Sequence, residues 1–278
     1  MANRLKAFAL LAILFSAIIF ACEHLAGREG VIVGSFVSLG LFFFSYWFSG
    51  PIILTFYDAH QVPKDRYDNL HVIIGKLSRK AGIFPPEVYV IPSRAPNAFS
   101  VGRGPSHSMM AFSEGLLALL DNEELEGVIS HEIAHIANCE VIFSTVVATL
   151  AGSVLFMAKL LFMGGKRGQG HEDGNILITI ITVLLSPISL ILIQLTISDS
   201  REFIADKNGA SYCENPEWIA RALEKVEEGM AKQPFHEVLA ATCHMFVIHP
   251  LVNGIFLNLY STHPPVRERI RRLMEFRG

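Results

Sequence analysis

Four apolar runs decide most of what this chain can fold into, because a backbone that enters lipid must satisfy its own hydrogen bonds and so enters as helix. The first, Ala7 to Cys22, reads AFALLAILFSAIIFAC and follows Arg4 and Lys6. It resembles the basic and apolar regions of a signal peptide, but CEHLAG offers no small-x-small cleavage site and a second run follows at once, so the expectation is a retained anchor. The second, Val31 to Tyr57, exceeds the roughly 20 residues a span needs and contains Gly50-Pro51, where a tilt or kink is expected. The third is Val141 to Met163 and the fourth Ile176 to Ile197, with Pro187 inside it. The polar turn GGKRGQGHEDGN between them predicts a hairpin. With 51% hydrophobic and 18% charged residues, the composition is that of a membrane protein.

Basic residues set the orientation. Arg4 and Lys6 precede the first span, and Lys64, Arg66, Lys76, Arg79 and Lys80 follow the second, whereas the intervening loop carries only Arg28. Counted near the span ends, this predicts a multi-pass protein with both termini and the polar segment 60–140 on the cytoplasmic side. The chain then divides into a two-span anchor (1–60), a cytoplasmic part (61–140), a transmembrane hairpin (141–198) and a second cytoplasmic part (199–278). A net charge of −3 excludes a nucleic-acid binder. Cys22, Cys139, Cys213 and Cys243 form no CxxC pair and predict neither a disulfide framework nor a thiolate metal site.

In the polar part, Leu70, Ile73, Ile74 and Leu77 recur at helical spacing and end at Gly82, which predicts one amphipathic helix over 63–81. The period then shortens. EVYVIP (87–92), NAFSVG (97–102) and HSMMAFS (107–113), separated by turn-forming SRAP and RGPS, predict three antiparallel strands. EGLLALL predicts a short helix, and Asp121 with Glu124 forms a capping-box start for the next one. Further helices are expected in DSREFIADKNGASYC, PEWIARALEKVEEGMAK and VRERIRRLMEF. The aromatic-rich second span, with Phe42, Phe43, Phe44, Tyr46 and Trp47, reads as lipid contact or interfacial anchoring.

The helix that starts at Asp121 carries SHEIAHIANCE. His131 and His135 are separated by about 400° of helical rotation, so their imidazoles leave one face a turn apart, as a tetrahedral zinc site requires. Glu132 lies beside them, able to reach a water on the metal's open side. The competing reading is two solvated or core-edge histidines on a helix that enters the membrane. The decision rests on a third ligand. A histidine six residues after His135 is absent, since that position is Val141. Glu202 and Asp206 in SREFIAD share a helix face just after the fourth run, and a hairpin of the third and fourth runs returns Glu202 to the surface where His135 emerges. Glu202 could then ligate the metal while Asp206 accepts a hydrogen bond from a ligand imidazole.

PNAFSVG, SHEIAH, SREFIAD and STHPPVRERI, in this order and with two spans before and two between the metal motifs, resemble the HtpX branch of membrane zinc metalloproteases, a branch related to the CAAX prenyl endopeptidases and the Oma-type proteases. The resemblance covers the chain from about Gln61 onward. It implies a membrane α-helical protein with an α+β catalytic part: four transmembrane helices plus a gluzincin-like zinc-protease domain with a small antiparallel sheet. It implies His131, His135 and Glu202 as ligands of one Zn2+ per chain, Glu132 as the catalytic residue, and a site on the cytoplasmic face of a bacterial inner membrane, where unfolded or damaged membrane proteins are cut. It also puts His263, in THPP, near the site as a candidate oxyanion donor, although a histidine before Pro264-Pro265 can equally serve only to shape the entry to the last helix. One position departs from the pattern: Glu140 stands where the family usually has Asp.

The extended segment Asn97, Ala98, Phe99 and Ser100 is expected to bind substrate as an open sheet edge, the simplest way to hold an extended peptide; a plain surface strand is the alternative. His107, His171, His244 and His249 read as incidental. Two other classes compete with a protease. A metal transporter calls for ionisable groups inside the spans, where only Lys159 and Gln194 are found. A catalytically inactive membrane scaffold does not call for an intact HEIAH with Glu202.

Overall fold

The computed structural model describes residues 2–63, 67–165, 198–235, 238–250 and 263–276. Helix α1 (Ala2–Phe56) breaks at Gly27, whose φ of 58° and ψ of −139° only glycine adopts without strain. The chain folds back there: a Cβ placed on Gly34 would lie 3.0 Å from the Ile19 Cα. The bend expected at Gly50-Pro51 is not where the helix breaks; Pro51 lies inside it.

Among the described residues one helix, Ala26–Phe56, is long and apolar enough to cross a membrane. A second candidate exists if α4 (Asn122–Ala137) and the start of α5 (Glu140–Gly165), which meet at 85°, count as one broken span. The third apolar run falls in α5. The fourth run and residues 166–175 of the turn before it lie outside the described residues.

The last turn of α1 is tied to the polar part of the chain. The Tyr57 hydroxyl lies 2.5 Å from Thr242 Oγ1, on a 3-10 helix at Ala240–Met245. The Tyr57 ring packs against Phe99, Phe235 and Phe246. Two apolar cores result, one between this end of α1 and the sheet, the other around α4.

The sheet has four strands in the order β1-β2-β4-β3: β1 (His60–Gln61), β2 (Glu87–Ile91), β3 (Ala98–Gly104) and β4 (His107–Ser113). It is mixed, which corrects the antiparallel sheet expected from sequence. β3 and β4 form the predicted antiparallel hairpin, but β4 then slots between β3 and β2 and runs parallel to β2. The reason is geometric: β4 leaves the hairpin antiparallel to β3, and only its far edge is open to β2.

Helix α2 (Asp68–Ala81) forms as its periodicity demands, buries Leu70, Ile73, Ile74 and Leu77, and stops at Gly82 in the left-handed conformation. α3 (Glu114–Leu119) follows β4, with the Ser113 side chain accepting from the Leu116 N–H. The capping box of α4 is complete, with Asp121 accepting from the Glu124 N–H and Glu124 from the Asp121 N–H. α4 is the central element, packed by α2, β3, α6 (Asp199–Cys213) and α7 (Pro216–Lys232). The last helix, α8 (Val266–Glu275), lies on α6 and α7.

Candidate metal centre

α4 and α6 cross in contact, and glycine allows it: a Cβ on Gly209 would stand 3.0 Å from the His131 backbone nitrogen. The crossing brings His131 and His135 of α4 to Glu202 of α6. One ligand-type atom from each lies within 4.8 Å of the others. His131 Nε2 and His135 Nε2 are 3.1 Å apart, and each is 3.6 Å from an oxygen of Glu202. Two nitrogens bound to one tetrahedral zinc at about 2.0–2.1 Å sit roughly 3.3 Å apart, so the pair is already near the required spacing.

Both tautomers are fixed from behind. His131 Nδ1 is 2.9 Å from Asp206 Oδ1, and His135 Nδ1 is 2.6 Å from Glu140 Oε2. With Nδ1–H donating to a carboxylate, Nε2 of each ring is the nitrogen that faces the other ring and Glu202. Glu202 Oε2 is buried without a hydrogen-bond partner, with the Arg269 guanidinium 3.5 Å away as an ion pair, which leaves a carboxylate lone pair for a metal. Spacing, tautomers and this lone pair together fit a metal ion of the zinc class.

Burial alone would lower the His135 pKa, but the carboxylates of Glu202, Glu140 and Glu132 outweigh it and lift it to about 9. Burial works to raise Glu202, and His263, His135, Arg269 and His131 overcome it, holding the carboxyl down at about 2. The site is therefore rich in negative charge that waits for a cation.

Arg269 was not anticipated from sequence. It is 1% exposed. Its Nε and Nη2 donate to the two oxygens of Asp206 at 2.8 and 2.7 Å, its Nη1 donates to the Val247 carbonyl at 2.9 Å, and its Nη1 lies 3.5 Å from Glu202. The fork clamps Asp206, which in turn holds His131.

Glu132 is 1% exposed and takes a 2.5 Å hydrogen bond from the Ser100 hydroxyl. Among the described residues, a cavity of about 30 Å³ is lined by Ser100, Glu132, His135, Glu202, His244 and His263. One water needs roughly 10–15 Å³, so water has room beside Glu132. His263 Nε2 is 3.9 Å from Glu202, and burial pushes its pKa down to about 3, leaving it a neutral imidazole at physiological pH. His244, read from sequence as incidental, lines this cavity and has its pKa pushed by burial down to about 4.

Of Asn97–Ser100 only Ser100 reaches the site, and the segment is not an open edge. All four are buried. The Ala98 carbonyl accepts from the Val247 N–H at 3.0 Å, and Phe99 bridges to Phe246. The Asn97 side chain donates to the Ile248 carbonyl at 2.7 Å and accepts from the Ile248 N–H at 3.3 Å. The outer side of β3 is thus covered at its start by residues 246–248.

Peptidase family M48 matches this chain over residues 64–277. A protein described as a protease HtpX homolog from Syntrophobacter fumaroxidans is 39% identical over 98% of this chain and 99% of its own length. Another from Pyrococcus furiosus is 42% identical over 90% of this chain and 87% of its own. Among solved structures, S. mikatae Ste24p is similar at 17% identity and a TM-score of 0.48; the match covers 98% of this chain and 64% of that one. A match of this length, joined to relatives that align almost end to end, makes the chain an HtpX-type metalloprotease belonging to peptidase family M48.

Proposed function

We propose that the chain is an integral membrane zinc endopeptidase that cuts unfolded or damaged membrane proteins at the cytoplasmic surface of the bilayer, in the service of protein quality control. The observation that carries this reading is the convergence of His131, His135 and Glu202 within 4.8 Å beside Glu132. His131, His135 and Glu202 hold one Zn2+. When bound, the ion lowers the pKa of a water toward neutrality and polarises the scissile carbonyl.

Glu132 accepts the proton of the attacking water on a carboxylate oxygen and returns it to the departing amine. Ser100, donating to Glu132 Oε2, fixes which way the carboxylate points. Asp206 and Glu140 keep the ligand imidazoles in the Nδ1–H tautomer. His263, neutral and beside Glu202, donates an N–H to the developing oxyanion. Asn97 and the start of β3 serve substrate binding through the segment 246–248 they clasp, whose Phe246 lines the cavity and, in extended conformation, offers backbone to a peptide.

Membrane residence is supported by the apolar helix Ala26–Phe56 and by the third and fourth apolar runs of the sequence. The basic residues around the first two runs support a cytoplasmic site, and the kinship with HtpX-type proteases supports a bacterial inner membrane as the setting.

Metal analysis of the purified protein beside casein cleavage tests the reading. Glu132→Gln is expected to keep stoichiometric zinc and to lose casein cleavage, because the amide cannot accept the water's proton. His131→Ala and Glu202→Ala are each expected to lose both metal and cleavage. Unchanged turnover in Glu132→Gln removes that residue from the mechanism, and full zinc in both ligand variants moves the metal elsewhere. Asn97→Ala, with zinc retained, is expected to raise KM more than it lowers kcat; the reverse split rejects a substrate-binding role.

A further inference from the structure

Where α1 leaves its apolar stretch and meets the β3–β4 turn there is a second cavity, of about 310 Å³, that shares no residue with the metal site. Ligand pockets start near 300 Å³, enough for a lipid headgroup but not for its acyl chains.

Its walls are of two kinds. Toward α1 stand Trp47, 47% exposed, and Pro51; across from them Phe84, 71% exposed, projects from the loop after α2. Exposed aromatic side chains beside a spanning helix mark the boundary between hydrocarbon and water. The other wall is polar. The Arg103 guanidinium lies over the rings of Tyr46 and Trp47, with its carbon 5.7 and 5.5 Å from their centroids. Among the described residues it forms no ion pair with a carboxylate. Stacking therefore orients the cation and leaves its N–H donors for another acceptor. Glu87 also lines the cavity, its carboxylate taking hydrogen bonds from Gln61 at 3.3 Å and Tyr89 at 3.1 Å.

The geometry points to a binding site for the headgroup of a zwitterionic aminophospholipid, with the phosphate on Arg103 and the ammonium on Glu87. One unpaired guanidinium and one carboxylate at the rim of the apolar helix match a headgroup that carries one charge of each sign. A singly anionic glycerol headgroup satisfies Arg103 but leaves Glu87 facing an uncharged group. The acyl chains stay in the bilayer beside Trp47 and Phe84. This inference rests on the membrane reading given above.

The test uses the full chain in detergent and phosphatidylethanolamine or phosphatidylglycerol as probe, with lipid retention read by native mass spectrometry. The expected result is one retained phosphatidylethanolamine per chain, in excess of phosphatidylglycerol. Arg103→Gln should lower that retention roughly tenfold, the scale of one lost charge-assisted hydrogen bond. Glu87→Gln should abolish the preference between the two lipids while phosphate-dependent retention persists. Zinc content, read in parallel, checks that both variants are folded. Equal retention of the two lipids by the unaltered chain, or retention unaffected by Arg103→Gln, overturns the site. Carbonate extraction of membranes separates this from the parent reading: a chain released by carbonate is not integral and both fall, whereas an integral chain without headgroup preference loses only this site.

Discussion

At the scale of single residues, the pair Arg269–Asp206 holds the metal site in shape from behind. Asp206 is kept ionised although burial opposes it, because Arg269 is beside it and hydrogen-bonded to it. Cutting a buried pair leaves an uncompensated charge, and Arg269→Met is expected to cost about 3–5 kcal/mol of stability, measured by denaturant titration of the metal-free protein. The acid limit moves as well. Glu202, held at about 2 against an ordinary 4.5, contributes stability that is complete above its ordinary value and is lost as the pH falls toward 2. Without Arg269 its pKa rises, so the loss should begin at a higher pH; an unchanged acid profile would show that Arg269 does not act on these carboxylates. Glu140→Ala is expected to weaken zinc about 10- to 100-fold, the range for groups that orient a ligand imidazole, with Glu140→Gln recovering part of the loss. Equilibrium dialysis measures both. HEIAH was legible because helical spacing alone sets two imidazoles on one face. The partner of His135 was not, since a glutamate at 140 reaches back only after the chain turns at Cys139, whose φ is 58°. Arg269 was hidden among the charges of VRERIRRLME, although it falls on the stripe of Val266 and Leu273, the buried side of α8. An arginine on an apolar stripe is the signal that could have revealed it.

At the scale of elements, the site is a contact between α4 and α6, and its precision depends on how closely they approach. A methyl on Gly209 comes 3.0 Å from the nitrogen and 3.1 Å from the Cα of His131. A methyl on Gly127, one turn earlier on α4, meets instead the backbone of Trp218 and Ile219 at 2.8 Å, on α7. Overpacking of this kind costs roughly 1–3 kcal/mol. Both Gly209→Ala and Gly127→Ala should therefore lower stability, but only Gly209→Ala should weaken zinc, because only it pushes the helix of Glu202 away from the histidines. Thermal denaturation together with zinc titration tells the two apart; equal zinc affinity in both would mean that α6 absorbs the methyl elsewhere. The helices were readable because capping and periodicity are local, as in Asp121 with Glu124 or the stripe from Leu70 to Leu77. The sheet was only half readable. Turn residues announce the β3–β4 hairpin, but nothing local says that β2 joins β4 rather than β3. The same blindness affected Asn97–Ser100, whose outer side is covered by residues 246–248, almost 150 positions away in sequence.

For the whole molecule, the question is how the chain travels from His135 to Glu202 and returns to the same place. Asn208 on α6 donates a hydrogen bond of 3.4 Å to Asn138, at the end of α4. Both ends of the stretch between them therefore stand on one side of any bilayer, and that stretch crosses it an even number of times. The sequence offers two crossings, Val141 to Met163 and Ile176 to Ile197, with the turn 164–175 between them. A re-entrant pair gives the same return without exposing the turn. α5 leaves α4 at 85°, so the motif helix and the apolar helix that follows it run in very different directions, as expected if one lies along the membrane surface and the other enters it. A cysteine at Gly168, on a background lacking Cys22, Cys139, Cys213 and Cys243, should then react with a membrane-impermeant thiol reagent in intact cells. A cysteine at Glu227, on the exposed side of α7, should react only after the cells are opened. Reaction of both only in opened cells makes 141–197 a re-entrant loop and leaves the metal site intact. Reaction of both in intact cells reverses the protein in the membrane and moves proteolysis to the outer side. Reaction of Glu227 in intact cells with Gly168 protected inverts the predicted orientation while keeping the hairpin.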